Sequence, residues 1–154
     1  MASLPLGFAS WTALTSLRID CSSMQTCFSG ALDAISSLPA LQSLSLSEMT
    51  SVTAPSSWSL PALTSLALRN MAELTGTLPA FPALQSLYLN GAGFTVLAAL
   101  PTSLQSISIT NTPLTGSFPD VSGLTALTSI VISGTSLSGT VPTASCAVLS
   151  PGYV

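Results

Sequence analysis

One sentence is written six times in this chain, and that repetition limits what the chain can fold into. The segment LTSIVISGTSLSGTVP, Leu127 to Pro142, reads Leu-x-x-Leu/Ile-x-Leu/Ile-x-x-(Asn/Thr)-x-Leu-x-Gly-x-(Ile/Val/Phe)-Pro. LQSISITNTPLTGSFP, Leu104 to Pro119, matches it position for position. Looser copies begin at Leu14, Leu41, Leu63 and Leu84, with openings LTSLRID, LQSLSLS, LTSLALR and LQSLYLN. The starts are 27, 22, 21, 20 and 23 residues apart, which is a repeat period and not an ordinary domain pattern.

Within each opening, apolar and polar residues alternate with the period of a strand. Ile130 and Ile132 are therefore expected to point inward, and Ser129, Val131 and Ser133 outward. A single such strand is unstable, but six stacked in parallel bury a continuous ladder of leucines. Each inward apolar group contributes on the order of 1.5–3 kcal/mol when fully buried. Gly116 and Gly139 fall where the backbone must turn tightly, and Pro119 and Pro142 end the second segment. So short a repeat leaves little room for a helix on the far side.

Across nearly its whole length the chain resembles the leucine-rich repeat family. The Leu-x-Gly-x-x-Pro half makes it similar to the plant-type subclass, with some likeness to protozoan and algal surface repeats. The resemblance implies a right-handed solenoid with a parallel inner β-sheet, few or no regular helices outside, and recognition of proteins or glycans. The expected layout is one solenoid over residues 1–154: a partial repeat at 1–13, the six copies, and an irregular tail at 143–154. Neither end resembles the cysteine-rich caps of that family, so the sequence reads as an incomplete solenoid.

Departures from the pattern are informative. The first copy fits only with about four residues inserted between Cys21 and Cys27, after which Asp33 stands where proline would be. The second copy lacks the glycine and ends in Ala54-Pro55, and the fourth (LQSLYLNGAGFTVLAALPTS) loses the Gly-x-x-Pro half. Cys21 and Cys27 suit a disulfide pinning the insertion, which would imply an oxidising compartment; the alternative is two free thiols. Cys146 stands apart, a candidate for pairing between chains.

Charge narrows the functional classes. Only 5% of residues are charged, against about 25% in an average soluble domain. Two arginines, no lysine and no histidine, with a net charge of −3, cannot form the basic stripe that nucleic acid needs. Catalysis finds no support, because the five carboxylates are spread over four of the repeats and no imidazole or amine side chain is present. A Cys-x5-Cys pair without histidine is a poor metal site, and no cofactor motif occurs. No run approaches the 18 or more apolar residues of a membrane-spanning helix, and the first residues lack the cationic start of a signal peptide.

Outward positions of the openings form three columns on the inner sheet face. The third position is serine throughout: Ser16, Ser43, Ser65, Ser86, Ser106 and Ser129. Larger groups in the other columns, Arg18, Asp20, Arg69, Tyr88 and Asn90, are the candidate partner-binding residues; the bland alternative is a solvated face. The expected function is thus non-enzymatic recognition of a protein or carbohydrate by an extracellular or cell-surface solenoid. Two alternatives are a subunit that assembles end to end into a fibre through its uncapped ends, and ice binding by the serine column. Ser and Thr near proline, as at Pro55-Ser56, Thr112-Pro113 and Ser150-Pro151, suit O-linked glycans. Trp11 and Trp58 are expected to pack on the outer arm.

Overall fold

The computed structural model describes residues 2–3, 10–22 and 27–139. Cys146, Pro142, Ser150-Pro151, the tail and the centre of the insertion lie outside these residues. The chain winds into a parallel β-solenoid. Its main sheet has six strands, β2 (Ser16–Asp20), β4 (Ser43–Ser47), β6 (Ser65–Leu78), β7 (Ser86–Leu97), β8 (Ser106–Thr110) and β10 (Ser129–Ser133), in the order β10-β8-β7-β6-β4-β2. Each strand starts two residues after the first leucine of its copy. The register is in phase, serine beside serine, from Ser16↔Ser43 to Ser129↔Ser106. A parallel sheet results because every strand is followed by a full return of the chain.

The returns carry shorter strands: β1 (Ala2–Ser3), β3 (Phe28–Ala31) and β5 (Val52–Thr53) form one sheet, and β9 (Thr115–Ser117) pairs with β11 (Ser136–Ser138). Here the pairing is stepped by two residues relative to the sequence repeat. Gly30 of one copy faces Val52 of the next, and Gly76 faces Phe94. Among the described residues 27–139, the helical content is one 3-10 turn, Leu32–Ala34.

Three local devices shape each coil. A turn precedes each main strand: the leucine that opens a copy donates its N–H to the carbonyl three residues back, as in Leu63 to Leu60 (3.2 Å) and Leu84 to Phe81 (3.1 Å). In copies two to four the residue after that acceptor is proline (Pro39, Pro61, Pro82), whose fixed φ is preset for the second position of such a turn. In the second to sixth copies the residue that follows the in-phase segment forms a left-handed corner, with positive φ at Glu48, Asn70, Gly91, Asn111 and Gly134. In the return, Gly30, Gly76, Gly116 and Gly139 take φ between 88° and 122°.

The core runs along the axis of the stack. Leu41, Leu44, Leu46, Met49 and Val52 are buried in the second coil, and Leu104, Ile107, Ile109 and Leu114 in the fifth. On the outermost strands the same inward positions are only half-buried: Leu17 and Ile19 in β2, Ile130 and Ile132 in β10. Ile130 faces inward as its place in the alternation predicts, but without the complete burial of Ile107. The ninth position, filled by threonine in the last two copies, is buried Met49, Met71 and Ala92 in the middle ones. Thr112 takes this place in the fifth copy, and its buried Oγ1 has no hydrogen-bond partner among the described residues.

The third and fourth copies stay paired past the corner. Opposite the third copy the offset of the fourth falls from 21 residues at Met71↔Ala92 to 19 at Leu78↔Leu97, so its path follows the same step of two residues as the other returns. Gly93 lies on that path, and a Cβ there would sit 1.9 Å from the Ala72 carbonyl oxygen. Phe94, fully buried, fills the core beyond it.

Candidate functional site

Seen along the six-stranded sheet, the outward side chains form rows across strands. One row is Arg18, Ser45, Ala67, Tyr88, Ser108, Val131; the next is Asp20, Ser47, Arg69, Asn90, Thr110, Ser133. The five candidate residues therefore fall into two groups. Arg18 and Asp20 share β2, while Arg69 lies on β6 beside Asn90 of β7 and diagonal to Tyr88. Ser47 stands between Asp20 and Arg69, which puts those backbones roughly 10 Å apart.

The two arginines differ in their partners. Arg18 and Asp20 form an ion pair at 3.7 Å, both side chains well exposed, an arrangement that adds little to stability. The Ser22 N–H, donating to Asp20 Oδ1 at 3.0 Å, lowers the Asp20 pKa, and the Arg18 charge acts in the same direction. The Arg69 guanidinium instead lies over the Tyr88 ring, 4.8 Å from its centroid. Such cation–π contacts hold the planar group in a defined orientation. Among the described residues Arg69 makes no ion pair. At the adjoining corner Asn70 Nδ2 donates to Glu48 Oε1, so that carboxylate already has a donor.

Hydroxyls fill the space around this cluster. Ser86 and Ser106 are hydrogen-bonded to each other across strands at 3.0 Å, and Thr110 Oγ1 donates to the Leu89 carbonyl at 3.4 Å. Many other hydroxyls hold one coil to the next: Thr64 and Thr128 donate to the carbonyls of Gln42 and Gln105, each at 3.0 Å, and Ser138 to Gly116 at 3.1 Å. Serine and threonine thus serve the stack itself as well as its surface.

Elsewhere the surface offers less. A shallow hollow of about 230 Å³ lies on the return side between Trp58, Pro61, Phe81 and Pro82, below the roughly 300–1,000 Å³ of a small-molecule pocket. Trp58 meets Phe81 edge to face at 5.9 Å and packs against the core. Trp11 is 47% exposed. Thr112, offered by its sequence as a glycan acceptor, is buried, and the Ser56 hydroxyl donates to Asp33 Oδ1 at 3.0 Å. Asp33 thereby ties the first coil to the second, a role its replacement of proline did not reveal. The Ser122 N–H, 2.8 Å from Asp120 Oδ1, and the Ser122 hydroxyl, 2.9 Å from Oδ2, lower the Asp120 pKa in an exposed turn.

Cys21 and Cys27 are joined by a disulfide, with Cα atoms 5.7 Å apart. Cys21 occupies the corner position of the first copy, and its N–H donates to the Ser47 carbonyl at 3.1 Å. Among the described residues no group of three or more His, Cys, Asp or Glu could hold a metal ion. No helix among them is long and apolar enough to cross a membrane. No protein-family model matches the chain, and neither a curated protein nor a solved structure matches it.

Proposed function

We propose that this chain is a non-enzymatic recognition module of leucine-rich repeat type, working outside the cell through the solvent face of its six-stranded sheet. One observation carries the reading: Arg69, Tyr88 and Asn90, the large polar groups of two neighbouring central strands, meet on a face whose adjoining positions hold small side chains, most of them serine and threonine. Arg and Tyr are the residue types that dominate binding energy at interfaces. The disulfide supports the oxidising location. Partners of two kinds, proteins and glycans, suit such a face.

The test compares the unaltered chain with an Arg69→Ala/Tyr88→Ala/Asn90→Ser variant on a panel of immobilised glycans and secreted proteins. Val96→Ser, on an exposed return position, serves as the control. Partners captured by the unaltered chain and the control should be lost from the triple variant. Capture that survives the triple substitution sinks the reading.

A second reading is end-to-end association. It draws on the half-buried inward residues of β2 and β10, the two edges of the sheet among the described residues. Sedimentation of the purified chain decides it, since a monomer at high concentration is incompatible with assembly.

A further inference from the structure

We infer that the Arg69–Tyr88–Asn90 cluster binds a carboxylate-bearing sugar, a hexuronate unit of a glycan, with the Arg69 guanidinium on its carboxylate. The inference rests on the proposed use of this sheet face and names the ligand chemistry it selects.

Arg69 is the starting point. The chain has two cations and a net charge of −3; Arg18 is ion-paired with Asp20, whereas Arg69 has no acidic partner among the described residues. It is nevertheless not a loose surface side chain, because it lies over the Tyr88 ring. A planar fork of donors already held in place loses less freedom on binding. Its geometry matches a carboxylate through two parallel hydrogen bonds. Asn90, directly beside Arg69 across the strands, adds an amide that can both donate and accept.

The rest of the face decides which carboxylate. A surface that holds a run of carboxylates at once needs several cations, and the one cation without an acidic partner among the described residues, Arg69, can engage one carboxylate at a time. A stable protein interface needs several aromatic or arginine anchors clustered together, and this face gathers two, Arg69 and Tyr88, while the exposed Val131 lies two strands from Tyr88. The register partners around the cluster are Ser47, Ala67, Ser108 and Thr110, with Ser65 and Ser86 in the next row. A sugar acid presents one carboxylate and several hydroxyls per ring. Hydroxyl groups that donate and accept suit those neighbours, and the single guanidinium suits the single charge.

The experiment titrates the chain with trigalacturonate, its neutral methyl ester and triglutamate, following amide shifts by NMR. Trigalacturonate should bind with shifts centred on β6 and β7, and the other two at least about tenfold more weakly. Arg69→Gln should bring the acid down to the level of its ester while leaving the circular dichroism spectrum and melting temperature unchanged. Ester binding as tight as the acid, or an acid affinity indifferent to Arg69→Gln, overturns the carboxylate assignment. Equal binding of triglutamate overturns the sugar, and no binding by any of the three overturns both. A partner from the wider panel that still depends on the triple substitution would then leave the broader recognition reading standing.

Discussion

At the scale of single residues, two glycines that look alike in the sequence do different work. Gly116 takes φ 88°, and a Cβ there would meet nothing within 4 Å. Its requirement is conformational, so Gly116→Ala should cost about 1–2 kcal/mol through backbone strain alone. Gly93 is not in the left-handed region, but a Cβ there would sit 1.9 Å from the Ala72 carbonyl oxygen. Gly93→Ala forces two coils apart and should cost about 3 kcal/mol. Chemical denaturation of both variants checks the ranking, and an equal or reversed order would show that the fourth coil can relax around a methyl group. The Leu-x-Gly repeat made Gly116 legible as a turn position. Gly93 was not legible, because its constraint comes from a different coil and leaves no periodic trace. Thr112 belongs to the same category: its hydroxyl reads as polar, yet the stack buries it.

At the scale of elements, the main strands were legible because alternation of apolar and polar residues is a local signal. The corners after them were not. Glu48, Asn70, Gly91, Asn111 and Gly134 share one left-handed conformation but not one residue type, and glutamate there gives no turn signal. The first coil departs most from the common plan. Cys21 takes its corner, the disulfide spans the insertion, and Asp33 reaches over to Ser56, 2.9 Å from Oδ1 to the Ser56 N–H. Closing a loop this short stabilises by about 2 kcal/mol in the chain-entropy account. A Cys21→Ser/Cys27→Ser variant should therefore melt at lower temperature than the unaltered chain, and added reductant should change the melting of the unaltered chain alone. Identical melting of the two proteins without reductant would show that the insertion contributes nothing to the stability of the first coil.

At the scale of the molecule, each coil touches only its neighbours, so stability is a sum of coils and of contacts between them. The candidate site follows from that arrangement. Arg69, Tyr88 and Asn90 are on β6 and β7, the long central strands that remain paired past the corner, where a side chain is held by neighbours on both sides. Which outward residues would meet was legible in part. The repeat placed Arg69 and Asn90 in one column, but the cation–π contact and the isolation of Arg18 with Asp20 depend on strand order and rotamers. The same one-dimensional logic gives a test of the whole stack. Ile107 is 1% exposed in β8, whereas Ile130, the equivalent residue of β10 and its direct partner in register, is half-buried. Ile107→Ala should cost about 3 kcal/mol and Ile130→Ala about 1 kcal/mol, the difference tracking the side-chain surface each removes from the core. Amide exchange should show the same gradient, slowest in β6 and β7 and faster toward β2 and β10. Uniform protection, with equal costs for the two isoleucines, would mean that the coils fold as one indivisible unit and that the central strands hold the site no more firmly than the edges would.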